Sequence, residues 1–306
     1  MIHATVSLPV YKPVDSTTAD CCNFVFFFNL ETSSCGETCD IIQVAAVFGG
    51  EVFNRYVMPA VQIPDKVSDL TQIRIEGSKM YHKGREVETV PIKDCLLDFV
   101  RWLRNVNTKV ILVAHNCKAF DARRLVRHVV ASGIMEEFSQ VVAGFADTLP
   151  MFRFLYQGKF REFKQTTIVR EILKKDYDAH DAIEDSKVLQ EVVKVCKCGK
   201  KDLLEQSFSV SVVIEQIERS NARLQNECSL EGLSKNKVCG VAMVSKIAAS
   251  GLHLRHLKLA FRRKGEEGLA SLLGEKDMNG HIWVTKSEKS NFIHCLLPEW
   301  CGIMIC

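Results

Sequence analysis

The stretch Phe24-Val25-Phe26-Phe27-Phe28 constrains this chain most. Five apolar residues without a polar break suit a strand covered on both faces rather than a half-exposed one. A polar loop with Cys35, Gly36 and Asp40 follows, then a second apolar run, Ile41 to Phe48, and a third strand near Val52 to Met58. The Gly49-Gly50 connection between the last two favours an antiparallel hairpin. Helical spacing appears at Leu96, Leu97, Val100 and Leu103, and Lys109 to Ala114 contains the buried strand Val110-Ile111-Leu112-Val113. Asp121 to Ala131 reads as helix, Val141 to Ala146 as strand, and Ala182 to Val195 as helix. The order predicts an α/β fold with a mixed five-stranded sheet flanked by helices.

Three regions are expected. Residues 1–21 mix Pro, Ser, Thr and Asp without a period and read as an N-terminal arm. Residues 22–198 form the α/β domain. Residues 199–306 form a mainly helical C-terminal domain with helices expected over Ser211–Leu224, Val238–Ala249, His253–Phe261 and Leu269–Leu273, and strands only in the last thirty residues. A net charge of +3 does not announce a nucleic-acid partner, so that argument rests on local clusters. The segment Leu252 to Lys264 is one: an apolar stripe for packing, with a basic remainder suited to DNA contact. The 13 cysteines are odd in number and sit mostly among apolar neighbours, as Cys95 does. With no secretory signal pattern, a reducing nuclear or cytoplasmic setting is expected. Cys196 and Cys198, one residue apart without a clear second pair, make a poor zinc motif, and Cys295 and Cys301 do not improve it. No apolar run approaches the roughly 20 residues that span a bilayer, so no membrane is expected.

Three clusters carry acidic groups: Asn29-Leu30-Glu31-Thr32 at the end of the first strand, His115 to Asp121 between a later strand and its helix, and His180-Asp181-Ala182-Ile183-Glu184-Asp185 at the last helix. Strand alternation points residues 29 and 31 to the same face. Positions 29, 31, 121 and 185 would then meet in one cluster beside His180. Phosphodiester hydrolysis needs charge stabilised on both attacking and leaving oxygens, and two divalent ions roughly 4 Å apart do this. Magnesium suits carboxylate ligands, and an imidazole titrating near neutrality suits proton removal from water.

The three clusters, in order, spacing and context, resemble the motifs of the DEDDh (DnaQ-like) 3′→5′ exonuclease superfamily, close to the three-prime repair exonucleases. The patch Asp147-Thr148-Leu149-Pro150 with Phe163-Lys164 is also similar to the PML exonuclease domain and the fish PML-like exon 9 proteins. The resemblance covers about residues 22–198 and implies a ribonuclease-H-like sheet and a site with two Mg²⁺ ions, for which Mn²⁺ substitutes. By it Asn29, Glu31 and Asp185 stand at metal positions, Asp121 supports the second metal, and His180 is the general base. Leu30 and Thr32 would sit against the terminal nucleotide. The implied substrate is DNA with a free 3′ end, single-stranded, in preference to RNA. His115, Asn116, Phe120, Arg123, Arg124 and Lys164 are candidates for contact with it, with Arg127, Lys159 and Arg161 as further cations nearby; His115 and Asn116 serve equally well as backbone-bonding residues around the site.

Position 29 departs from the family, which has aspartate there. An amide is neutral and a poor ligand, so this chain is expected to bind better than it cuts. Two readings stand: a deliberate substitution that traps substrate in an otherwise intact enzyme, which is the preferred one, or a natural pseudo-exonuclease kept for DNA-end or protein binding. A transposase of the same fold requires neither Glu31 nor His180 at these spacings. Taken singly, Asp121 would be a helix cap, Asp181 a helix-start residue and His180 a surface histidine.

Overall fold

A computed structural model describes residues 24–275 and Val284. The expected N-terminal arm, the strands of the last thirty residues, and Cys295 and Cys301 lie outside them. Three strands open the fold as anticipated: β1 (Phe24–Thr32), β2 (Ile41–Phe48) and β3 (Glu51–Val57), successive antiparallel neighbours. After helix α1 (Asp65–Thr71) come three short strands, β4 (Ile73–Glu76), β5 (Lys79–His82) and β6 (Arg85–Val87). These form a separate small sheet. The β5–β6 turn holds both Lys83 (φ 53°) and Gly84 (φ 74°) in the left-handed region, as a tight two-residue hairpin requires.

The main chain resumes with β7 (Thr89–Val90), α2 (Ile92–Leu103), β8 (Val110–Ala114), α3 (Asp121–Ala131), α4 (Met135–Val141) and β9 (Val142–Asp147). Then follow α5 (Thr148–Leu155), α6 (Gln165–Leu173), α7 (Ala182–Val195), α8 (Lys200–Glu205) and β10 (Ser207–Ser209). The large sheet has seven strands, not the expected five, in the order β10-β9-β8-β1-β2-β3-β7. Both additional strands are edge strands of two or three residues, too short to show a period. Because β8 runs parallel to both β1 and β9 while β2 and β3 run antiparallel, the sheet is mixed.

Alternation along β1 sorts its side chains. Phe27 joins a core with Ile168 of α6 and Val188, Leu189 and Val192 of α7. Phe26 meets Trp102 of α2 edge-on at 5.1 Å, and Phe28 lies 6.1 Å from Phe145. Asn29 and Glu31 therefore emerge on the same face as Phe27, the face that α7 covers.

The compact units divide between Gln216 and Ile217, inside α9 (Val210–Lys235), so the first unit runs past the expected boundary at 198 to include α8 and β10. The second unit contains the rest of α9, α10 (Val241–Ala249) and α11 (Leu254–Leu273), around a core of Leu233, Ile247, Leu257 and Leu269. No helix among the described residues is long and apolar enough to cross a membrane. Helix α11 breaks at Lys264 and Gly265 (φ 56°, ψ −139°), folding its second half back so that Gly268 meets Ala260. A Cβ on Gly268 would stand 2.3 Å from the Ala260 carbonyl oxygen. Gly268→Ala is thus expected to destabilise this unit by about 1–3 kcal/mol, visible as a lower melting temperature. An unchanged melting curve would show that the two halves of α11 do not approach this closely.

Candidate active site

The four positions singled out from the sequence come from three elements. Asn29 and Glu31 end β1, Asp121 opens α3, and Asp185 lies in the first turn of α7. The Asn29 amide donates to Glu31 Oε1 at 3.3 Å. The Leu30 N–H donates to Asp121 Oδ1 at 3.3 Å, which ties α3 to the strand between residues 29 and 31. Asp185 is held hardest. Its Oδ1 accepts from the Tyr177 hydroxyl at 2.6 Å and the Gln165 amide at 2.9 Å, and its Oδ2 accepts from the His180 backbone N–H at 2.9 Å. Gln165 also donates to the Asp185 carbonyl at 2.9 Å. Gln43, fully buried on β2 opposite Glu31, accepts from the Ala182 N–H at 3.3 Å and so fixes the start of α7.

All three carboxylates are buried, and burial of the charged form governs their protonation. Glu31 is raised well above its ordinary value by burial first, then by Asp185, Asp121 and Asp181, with the Asn29 hydrogen bond pulling the other way. Burial likewise lifts Asp121 to about 8 and Asp185 to about 6, the latter against the Tyr177 and His180 hydrogen bonds. Below the ordinary aspartate range both folded and unfolded chains carry the Asp121 proton; between there and about 8 only the folded chain does, so folding costs more as pH rises through that window. Asp121→Asn removes the ionisation and retains an acceptor for Leu30. It is expected to raise the melting temperature more at pH 8 than at pH 4 in the metal-free protein. Equal shifts at the two pH values would exclude a proton held by Asp121.

His180 stands at the entrance to α7 with φ 68°, a left-handed conformation costly for a non-glycine residue. The residues around it are clamped from the small sheet. Lys83 Nζ, in the β5–β6 turn, reaches Asp178 at 2.5 Å and Asp181 at 2.7 Å. Asp181 caps α7 by accepting from the Ile183 N–H at 3.1 Å, the helix-start role its sequence position suggested. Burial works to raise Asp181, but Lys83 outweighs it and the carboxylate stays below its ordinary value. Buried His82 shares a 2.6 Å hydrogen bond between Nδ1 and the Tyr56 hydroxyl, and its Nε2 lies 3.8 Å from Asp181. The His180 imidazole itself is exposed, and partial burial against its neighbours lowers its pKa, favouring the neutral form.

Several expected substrate contacts have other partners. Leu30 is buried on the sheet face opposite Asn29 and Glu31, and Thr32 is buried with its hydroxyl donating to the Ser34 carbonyl at 2.8 Å. His115 uses both ring nitrogens, Nδ1 with Thr148 Oγ1 at 2.9 Å and Nε2 with the Phe163 carbonyl at 2.7 Å; of its two anticipated roles, the backbone-bonding one is observed. Arg124 is 4 % exposed and stands 3.6 Å over the Phe120 ring. It donates to the carbonyls of Cys35 at 2.6 Å, Gly36 at 2.9 Å and Phe120 at 3.1 Å. Arg123 pairs with Glu37 at 2.7 Å, and Arg127 lies 3.6 Å from the same carboxylate. The basic run of α3 therefore holds the loop after β1, and the contact expected of Arg124 is corrected: its charge was legible, its burial was not. Asn116, exposed in a left-handed turn, and Lys164, exposed beside Glu162, keep solvent-facing side chains. Gln165, Tyr177, Lys83 and Gln43 were not singled out from the sequence. Gln165 and Tyr177 lie within the loop-and-helix run before His180, where a search for partners of Asp185 would have found them.

The oxygen donors present are of the type magnesium takes, but they do not make a metal site as arranged. Among the described residues no group of three or more His, Cys, Asp or Glu side chains is drawn close enough to hold a metal ion. The hydrogen bonds explain why. Asn29 offers Glu31 a donor and no negative charge, and the oxygens of Asp185 already accept three hydrogen bonds.

Residues 25–173 match the family described as the Exuperantia RNAse H-like domain, and residues 226–292 match the PML C-terminal domain. The maternal protein exuperantia of Drosophila melanogaster is 24% identical over 123 residues, 36% of this chain and 23% of that protein. The PolC-type DNA polymerase III of Clostridium perfringens is 25% identical over 217 residues, 69% of this chain and 13% of that protein. The chain thus spans a quarter or less of these relatives. A solved structure of E. coli exonuclease I in complex with a 5cy-dT13 oligonucleotide aligns with a TM-score of 0.47 at 14% identity, covering 69% of this chain and 45% of that one. The sheet order and the domain match together identify the first unit as a ribonuclease-H-like α/β domain.

Proposed function

We propose that the chain reads the 3′ end of a DNA strand in a DnaQ-like exonuclease site whose hydrolytic power residue 29 suppresses. The observation that supports this best is the convergence of Asn29, Glu31, Asp121 and Asp185 at one end of the sheet with His180 beside them. No such gathering of buried carboxylates is needed to hold the fold together, since each raises the cost of folding through burial. The segment Arg153–Lys164, which leads directly into Gln165, adds a surface suited to a single strand. Phe154 is 81% exposed, Tyr156 and Phe160 stack at 4.7 Å, and Arg153, Lys159, Arg161 and Lys164 are exposed around them. The exposed Phe154 ring offers stacking to a base and the cations offer contacts to phosphates.

In this reading the protein binds, orients and holds the strand end. His180, largely neutral at physiological pH, accepts the proton of the attacking water in the aspartate-bearing form. Fluorescence anisotropy with a single strand bearing a free 3′ end, and with the same strand closed by a 3′ hairpin, tests the end preference. Tighter binding of the free 3′ end is expected. Equal affinity for both would remove end recognition from the proposal, and an RNA strand in the same assay decides the sugar preference.

A further inference from the structure

Between Glu231 and Glu266 the chain carries eight lysines and arginines and no aspartate or glutamate, against a net charge of only +3 over all 306 residues. The excess positive charge therefore lies in the helical unit, and the first half of α11 sorts it by face. Leu257 is fully buried and Phe261 packs on the same core. Arg255, Lys258, Leu259 and Arg262 fall at i, i+3, i+4 and i+7 on the opposite side, and Arg255, Leu259 and Arg262 are exposed.

A solvated face would explain scattered cations, and cations at a helix C-terminus are favoured by the helix dipole. Neither accounts for Arg255 and Lys258. They stand in the opening turns of α11, at the positive end of its dipole, where the first turn contains no acidic residue. The side-chain cap there is His253, another base. Burial first, and then the charges of Arg255 and His253, push the His256 imidazole down. Within α11 no acidic side chain precedes Glu266, so its opening turns carry positive charge alone. Helix α10 precedes it across the four residues Ser250–His253, with Gly251 at φ 81°, a connection of the length used where a second helix is presented to a nucleic acid.

We propose that the exposed face of α11 over Arg255–Arg262 binds the phosphate backbone of a nucleic-acid strand away from any end. A regular polyanion matches cations repeated along one helix face. An anionic membrane would require an apolar face beside the cations, whereas here only Leu259 is exposed and the rest of the apolar stripe is in the core. The surface is independent of the end-reading site.

The test uses the full chain and covalently closed circular DNA, single- and double-stranded, with a circular RNA as a third arm. A circle has no 3′ end, so the result stands whether or not the exonuclease reading does. The unaltered chain is expected to bind at least one kind of circle with an affinity that falls as salt rises. The triple change R255E/K258E/R262E is expected to weaken this roughly tenfold or more and to reduce the slope of log K against log salt by about 2. The neutral R255Q/R262Q pair gives a smaller loss in the same direction and guards against misfolding, with melting curves confirming that both variants fold. Circle binding unchanged in both folded variants would overturn the proposal. So would binding to phosphatidylserine vesicles or polyglutamate but not to circles.

Discussion

The Asn29→Asp variant, given magnesium or manganese, is expected to shorten a labelled single strand from its 3′ end about 10²–10⁴-fold faster than the unaltered chain. Asn29 now donates to Glu31 and favours its charged form against burial. A carboxylate in its place removes that donor and adds an anion to a buried set that already repels internally. The site can then be satisfied only by protons or cations. The metal-free variant should accordingly melt lower than the unaltered chain, and added magnesium should recover the loss, because a ligand that binds only the folded form stabilises it. The thermal readout separates two failures. A magnesium-dependent melting shift without cleavage would leave a cation site and remove the enzyme. Neither shift nor cleavage would favour a natural pseudo-exonuclease.

Arg124→Ala is expected to destabilise the first unit by about 3 kcal/mol while changing nucleic-acid affinity little at saturating folded protein. The guanidinium bridges α3 to the loop after β1 through three carbonyls and covers the Phe120 ring. Hydrogen bonds to a charged group contribute roughly 1.5–3 kcal/mol each when their loss leaves buried partners unpaired, and part of that returns where water reaches the loop. A denaturant melt measures the loss, and anisotropy measures the affinity. Preserved stability with tenfold weaker binding would return Arg124 to the substrate surface.

These two residues show where the sequence was informative. The strand–helix order, the bounds of α3 and α7 and the approach of positions 29, 31, 121 and 185 were all legible, because long apolar periods and motif spacing depend on local geometry. The β4–β6 sheet was not. Its strands are only three or four residues long, so the alternation of Ile73-Arg74-Ile75-Glu76 ends before it becomes a recognisable period, although Ile73 and Met80 are buried. Arg124 differs for another reason: a cation next to Asp121 has the same appearance whether it faces solvent or turns inward, and only the Cys35 and Gly36 carbonyls of a distant loop decide between them. Leu30 was likewise assigned to the substrate by motif, although the period of two sends it to the opposite face from its neighbours.

The turn bearing Lys83 grips both flanks of residue 180 from nearly a hundred positions upstream. The imidazole's pose is consequently a property of a small, surface-lying ribbon that contains none of the motif residues. Trimming, lengthening or bending that ribbon would move residue 180 from a distance, so a lineage could reshape this end of the sheet while every motif letter stayed in place.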